Sequence, residues 1–284
     1  MLGMRFPSPR EFMKIAIQGV KGSFHHKVAQ EFFETEVPVI ECMSFPVLVD
    51  QLVAGNATAA VMAIENSIAG AILPNYALID QHQLTIEGEF YLDVQHHLMG
   101  LSGQEITDIK EVWSHPMALI QCRKFLAQYP SIKLVEATDT AAVARQIQEE
   151  NLTGIAAIAS ATAAQIYDLH IIAPQIQTIK HNETRFFILS TKEKQISTDC
   201  NKASVCFTAD HKRGSLATIL NVLSDCKLNL TKIQSMPVIE TPWRYAFFVD
   251  VTFNAYSDYE KAKKVLAIMS TDFKVLGEYN NRKR

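Results

Sequence analysis

From Lys14 to Ser190, short apolar runs alternate with amphipathic stretches. The runs KIAIQG, AAVMAIEN, YLDVQHHLMG, IKEVWSHP, IKLVEATD, IAAIAS and TRFFILS predict strands. Between them, the spacing predicts helices over His25 to Glu34, Ser44 to Ala54, Ile72 to Gln81, Met117 to Gln128, Thr140 to Glu150 and Ala161 to Asp168. This alternation implies an α/β fold with open, mainly parallel sheets, whose ligands sit beyond the carboxyl ends of the strands. The polar residues that close the runs thereby become candidates: Gln18, Glu65-Asn66-Ser67, Ser114-His115, Thr138-Asp139-Thr140 and Ser160. Two segments, AAVMAIENSIAGAI and IAAIASATAAQIY, read alike, as two similar lobes facing each other would.

Residues 191–201, TKEKQISTDCN, are polar and aperiodic and predict a linker. Beyond it the rhythm changes. Ala203, Val205 and Phe207 alternate as a strand, and Leu216, Ile219, Leu220 and Leu223 follow helical spacing. Leu228 to Val238 and Trp243 to Phe253 bracket a turn at Glu240-Thr241-Pro242, and Tyr245, Phe247, Val249, Val251 and Phe253 share one face. A capping box, Ser257 with Glu260, opens a helix to Met269, and a short run Phe273 to Leu276 ends the order βαββαβ, the ferredoxin-like plan. A domain over 14–190 and a second over 202–280 are expected.

At 284 residues the chain has room for about two domains. A net charge of -3 with 48% apolar and 20% charged residues argues against nucleic-acid binding and disorder. Five scattered cysteines lack zinc or redox spacing and read as reduced thiols. Adjacent histidines at 25–26 and 96–97 point apart on a strand or a helix, against a metal site. No long apolar run or leader-like segment is present, so a cytoplasmic protein without membrane contact is expected, with residues 1–12 a disordered extension or a misassigned start.

The candidate chemistry gathers where NETRFF begins the last strand of the first domain. A guanidinium, Arg185, forks onto carboxylates, and the Thr184 hydroxyl can donate to a leaving oxygen. The competing reading of those six residues is an edge strand facing solvent.

Four motifs occur in order: Gly19-Val20-Lys21-Gly22-Ser23-Phe24; Glu65-Asn66-Ser67 with Gly70; His115-Pro116 with Gln121 and Cys122; and Asn182 ahead of Thr184-Arg185-Phe186. Together they resemble the prephenate dehydratases with a C-terminal ACT regulatory domain, over nearly all of Lys14 to Leu276. Val20 and His25 depart from the family's usual Pro and Ser. The resemblance implies a two-lobed catalytic domain similar to type II periplasmic binding proteins. Lobe one would be about 14–90 plus 171–190, and lobe two about 91–170. It implies conversion of prephenate to phenylpyruvate, CO2 and water on the route to phenylalanine, without cofactor or metal.

Under that resemblance Thr184, Arg185 and Asn66 are the catalytic candidates. Ser23, Ser67, Gln121, Asn182, Phe186, His115 and Ser160 are the substrate-binding ones. Ser67 stays open between anion site and helix cap, Gln121 between substrate contact and solvent-facing residue, and His115 between acid and loop imidazole. Glu65 either braces its turn or holds a proton. The ACT domains of this family bind phenylalanine through a Gly-Ala-Leu-Val turn and a Glu-Ser-Arg-Pro segment. Here these read Gly214-Ser215-Leu216-Ala217 and Gln234-Ser235-Met236-Pro237, so two charges are missing. Feedback by L-phenylalanine and a homodimer or homotetramer through the ACT domains are expected. A dimerisation module without effector is the alternative. Arogenate dehydratase and a non-catalytic small-acid sensor are the rival functions.

Overall fold

A computed structural model describes residues 13–192, 198–210, 212–238, 241 and 244–283. The expected extension over 1–12, part of the linker, and most of the turn at 240–242 lie outside the described residues. Three sheets organise the chain. The first runs β2 (Val39–Cys42), β1 (Ile15–Gln18), β3 (Ala59–Asn66), β11 (Glu183–Ser190), β5 (Thr85–Asp93), with a two-residue strand β4 (Gly70–Ala71) folded back on the end of β3. Its strands β2, β1 and β3 are parallel. The second runs β10 (His170–Ala173), β6 (His97–Gly100), β9 (Ile155–Ala159), β7 (Glu111–Ser114), β8 (Lys133–Glu136). Here β7 is parallel to β8 and β9, while β6 is antiparallel to β9 and β10.

Helices follow the strands as the periodicity predicts: α1 (Phe24–Phe33), α2 (Phe45–Val53) and α3 (Leu73–Gln81) in the first half, α6 (Thr140–Glu149) and α7 (Ala161–Ile166) in the second. Polar residues at the strand ends become their caps. Ser23, Ser44, Asp139 and Ser160 each accept a backbone N–H of the first helical turn. The single helix expected over Met117 to Gln128 is broken into α4 (Pro116–Gln121) and α5 (Arg123–Leu126). Cys122 has φ near -97° and ψ near 6° and is buried among Leu98, Val112 and Ile158.

Two differences concern the boundaries between lobes. The expected strand YLDVQHHLMG is two strands, the end of β5 and then β6, separated by Val94-Gln95-His96. The segment returning at 171 first completes β10 in the second sheet, because Ile171 pairs with Met99 there.

The third sheet has the order β13 (Asn229–Pro237), β14 (Tyr245–Thr252), β12 (Lys202–Thr208), β15 (Thr271–Tyr279), all antiparallel, with α8 (Ser215–Asp225) and α9 (Tyr256–Met269). That is the ferredoxin-like order. Its core holds Val205, Phe207, Ile219, Val249, Val251, Tyr259 and Leu266. The expected capping box at Ser257 is absent: Ala255 is the cap of α9, without a side-chain bond.

The compact units cut the chain elsewhere than the expected linker. One takes in the chain up to Ala71 and Tyr91–Phe186, the other Ile72–Phe90 and everything from Phe187 onward. The second unit keeps Ile72–Phe90 through specific contacts. The Tyr76 ring meets Phe248 edge-on at 5.2 Å, Asp80 pairs with Lys274 at 2.6 Å, and Glu89 pairs with Lys202 at 2.8 Å with both side chains buried. Among the described residues no helix is long and apolar enough to cross a membrane.

Candidate active site

The first unit builds the site where β3 ends and β11 begins. The main chain of Ser67 donates to Glu183 O at 2.8 Å, and Glu183 N donates to Ser67 Oγ at 3.0 Å, so the turn after β3 is stitched to β11. Within that turn Asn66 Oδ1 accepts the backbone N–H groups of Ile68 at 3.0 Å and Ala69 at 2.9 Å. An asparagine bonded forward to its own turn is a common device for fixing such loops. The amide then has one orientation, and its Nδ2 donates to Asn182 Oδ1 at 2.7 Å and to Thr184 Oγ1 at 2.8 Å.

The line of bonds continues into α4. Asn182 Nδ2 donates to Gln121 Oε1 at 3.0 Å, and His96 Nε2 lies 2.8 Å from the same oxygen. Asn182 is fully buried and Thr184 is 8% exposed, so these bonds are made in an environment poor in water, where each is stronger. Thr184, Asn66, Asn182 and Gln121 are therefore brought together from motifs 55 residues or more apart in the chain.

The glycine-rich turn seats against the other lobe. Gly19 and Gly22 both have φ near +87°, which only glycine adopts without strain. A Cβ on Gly19 would stand 2.5 Å from Asp139 Oδ2, and one on Gly22 would stand 2.9 Å from Ala163 Cα. Ser160 Oγ donates to Gly22 O at 2.6 Å, Tyr167 Oη donates to Lys21 O at 2.7 Å, and Arg145 pairs with Glu41 at 3.0 Å.

Several expected site residues are placed otherwise. Ser160 spends its one hydroxyl proton on Gly22 and its lone pair on Ala163 N, a structural use that leaves it no donor for substrate. Ser23 is 2% exposed, caps α1 through His26 N at 3.2 Å and bonds Gln18 O. Ser67 caps no helix; its N–H donates to Glu183 O and its Oγ accepts Glu183 N. His115 is exposed and its Nδ1 accepts Met117 N at 3.2 Å, the loop-imidazole reading. Glu65 belongs to the short β3–β4 ladder opposite Ala71.

The motif at β11 also divides. Successive residues of a strand point to opposite faces, so Arg185 does not stand beside Thr184 as expected. Its guanidinium lies 5.8 Å from the Tyr91 ring centre and the residue is 4% exposed. Phe186 returns to the face of Thr184 but packs edge-on against His25 at 5.0 Å in the core, rather than walling the cleft.

Burial sets the electrostatics. It pushes His25 down to about 3 and lowers His96, and it raises the carboxyl of Asp139 and pushes the Cys122 thiol up to about 12. The His25 ring and the Cys122 thiol are thereby kept neutral. The four paired histidines bond their own fold: His25 Nε2 accepts Ala63 N, His26 Nδ1 accepts Gly22 N, His97 Nδ1 accepts Gln175 N, and His96 meets Gln121. Among the described residues no three His, Cys, Asp or Glu gather as a metal site. His96 is the site residue that sequence reasoning passed over. Its signal was a polar interruption inside an otherwise apolar strand pattern.

In the second unit Gly214, with φ near +85°, caps α8, and Gly214, Ser215, Leu216 and Ala217 line a cavity of about 620 Å³. Arg213, Arg244, Asp210 and Phe247 line it too. Gln234 and Ser235 are not among its lining residues; the Gln234 amide donates to Ser235 O at 3.0 Å.

Three amides and one alcohol, gathered within one α/β unit, suit an enzyme that holds a small polar molecule through neutral hydrogen bonds. A model of the prephenate dehydratase family matches residues 15–194. An arogenate dehydratase/prephenate dehydratase of Arabidopsis thaliana is 35% identical, with 94% of this chain and 72% of that protein covered. A prephenate dehydratase from Arthrobacter aurescens, solved in complex with L-Phe, superposes with a TM-score of 0.85 at 26% identity over 95% of this chain and 90% of that one. A structure described as a quorum-quenching acylase, GqqA, gives the same TM-score of 0.85 at 26% identity, over 94% and 97%. The chain belongs to the prephenate dehydratase family, enzymes that dehydrate prephenate.

Proposed function

We propose that the cluster of Thr184, Asn66, Asn182 and Gln121 is where prephenate becomes phenylpyruvate, CO2 and water. The observation that carries this reading is Asn66 Nδ2 held between Thr184 Oγ1 and Asn182 Oδ1. Because the Asn66 amide occupies a lone pair of the Thr184 oxygen, the hydroxyl proton is directed elsewhere, toward a substrate oxygen.

The carbon–carboxylate bond breaks and its electron pair enters the ring as the carbon–hydroxyl bond opposite breaks. The departing hydroxyl takes up one proton and leaves as water, and aromatisation drives the step. Thr184 donates a hydrogen bond to that oxygen as it gains charge, while water relays the proton, since a neutral alcohol is too weak an acid to supply it. A preorganised donor of this kind is worth about 3 to 4 kcal/mol. Holding the guanidinium of Arg185 on the other face of β11 serves the same end. An ion pair with the carboxylate that must leave as neutral CO2 would stabilise the ground state instead. Here Arg185 positions β11 against Tyr91 and adds positive potential rather than a direct clamp.

L-Phenylalanine is the proposed effector, in the 620 Å³ cavity of the second unit. The relative solved with L-Phe supports it. Arg213 and Arg244 supply guanidinium groups for an amino-acid carboxylate, and Asp210 a partner for its ammonium, which makes up for the charges missing from Gln234 and Met236. The second unit acts as an ACT-type module through which copies associate as a homodimer or homotetramer, in the cytoplasm.

The test mixes the purified chain with prephenate and follows phenylpyruvate, with and without L-phenylalanine, beside a parallel reaction with arogenate. Turnover of prephenate that falls on adding phenylalanine, with calorimetric binding lost in Arg244→Ala, is expected. No phenylpyruvate, or faster turnover of arogenate, overturns the catalytic reading. Absence of both heat and inhibition overturns the effector.

A further inference from the structure

The bonds around Asn66 have a direction that can be followed outward atom by atom. The N–H groups of Ile68 and Ala69 can only donate, so the Asn66 atom they meet at 3.0 and 2.9 Å is its oxygen. Asn66 therefore presents NH2 to Asn182, whose facing atom is oxygen. Asn182 in turn presents NH2 to Gln121, and that atom is oxygen as well. The next partner, His96 Nε2 at 2.8 Å, faces an acceptor and must carry a hydrogen. At the far side of the ring, Nδ1 has no hydrogen-bond partner among the described residues and is buried.

We infer that His96 is a positioning residue for the dehydration, acting as the Nε2–H tautomer that closes this amide line and thereby orients Gln121 and Asn182. The inference rests on the reading of the amide cluster as the prephenate site. The other tautomer would set the Nε2 lone pair against the lone pairs of Gln121 Oε1 and would bury an unpaired Nδ1–H, so the protein retains one tautomer.

The ring is held to its task by its surroundings. His96 N donates to Gln177 Oε1 at 3.0 Å, His96 O accepts Ile176 N at 2.8 Å, and the Phe24 ring meets the imidazole at 5.6 Å, nearly perpendicular. With the Gln121 oxygen taken by two donors, its NH2 is the group left to present to the substrate. Without His96, the Gln121 amide has no reason to keep its oxygen inward. A flip would place two NH2 groups face to face at Asn182 and turn the wrong end of Gln121 outward.

Two measurements test this. Long-range 1H–15N spectra of the full-length protein, with His96 assigned by its loss in His96→Gln, should show a protonated Nε2 and a bare Nδ1 at neutral pH. An Nδ1–H tautomer or an imidazolium overturns the inference, and this readout does not depend on the reaction. In the dehydration assay, His96→Leu should lower kcat about 10- to 100-fold with little change in KM, as a misplaced group does. His96→Gln, which can still donate to Gln121, should recover most of the loss and keep the wild-type pH profile. A Gln variant as slow as the Leu variant, or one whose pH profile shifts, would mean that His96 works by transferring a proton and not by positioning. If the wild type does not turn over prephenate, the functional reading fails while the tautomer remains measurable.

Discussion

Replacing Thr184 by Val removes one hydroxyl and preserves branching and volume, so it isolates the oxygen. Two costs follow from the geometry. Asn66 Nδ2 keeps its bond to Asn182 Oδ1 but loses its acceptor at 2.8 Å, leaving one donor proton only the longer contact to Glu183 O at 3.4 Å in a residue that is only partly exposed. A stranded donor costs about 1 to 3 kcal/mol, and the partial access of water at Asn66 sets the expected loss of stability near the lower end of that range. The transition state loses a preorganised donor, about 3 to 4 kcal/mol, which is roughly 10²- to 10³-fold in kcat. Since the bond strengthens only as charge develops on the leaving oxygen, KM should change little. Thr184→Ser keeps the oxygen and should retain most of the rate. The assay is phenylpyruvate formed from prephenate, with urea unfolding of each variant alongside. A Val variant as fast as wild type, or a Ser variant as slow as Val at equal stability, would refute the assignment.

Asn66→Asp keeps an acceptor for the Ile68 and Ala69 N–H groups but opposes oxygen to oxygen at Asn182 and draws the Thr184 hydroxyl proton to itself and away from substrate, so kcat should fall about 100-fold or more, measured in the same assay; near-normal turnover would contradict the bond directions. His25, held down to about 3 by burial, stays neutral when folded but protonates near 6.5 when unfolded, so its contribution to stability is complete above pH 6.5 and declines below it by about 1.4 kcal/mol per pH unit toward pH 3. Urea unfolding between pH 7 and 4 should show this slope reduced by one proton in His25→Gln, and identical slopes would remove the role. Lys202→Met takes from the buried Glu89 carboxylate its charged contact at 2.8 Å, while the Arg282 N–H stays at 3.2 Å, and should cost about 3 kcal/mol, part of it restored in Lys202→Met with Glu89→Gln. Thermal unfolding of the single and double variants checks this.

The periodicity along the chain was sufficient for the α/β alternation, because each strand and helix buries a face and so writes its own period into the sequence. The third sheet shows the same: Val249 and Val251, alternating along β14, lie in its core. Caps were read less well: Ser23, Asp139 and Ser160, expected at the ligand, each cap a helix through atoms two or three residues away, while the box expected at Ser257 does not form. What escaped depended on pairings across long separations. Cys122 interrupts a helical pattern because burial among Leu98, Val112 and Ile158 outweighs local propensity. Ile72–Phe90 joins the C-terminal unit through Tyr76, Asp80 and Glu89, whose partners are more than a hundred residues away.

The same division runs through the site. The strand ends and the family resemblance together pointed to Asn66, Gln121, Asn182 and Thr184, but adjacency in sequence placed Arg185 beside Thr184, and the alternation of a strand sends it to the opposite face beside Tyr91. That Ser160 Oγ meets the Gly22 carbonyl and His96 Nε2 the Gln121 oxygen became visible only when distant backbone segments came within hydrogen-bond reach. Local sequence determines which groups are available and which face of an element they occupy. Tertiary packing decides which of their donors and acceptors are already used and which remain for chemistry.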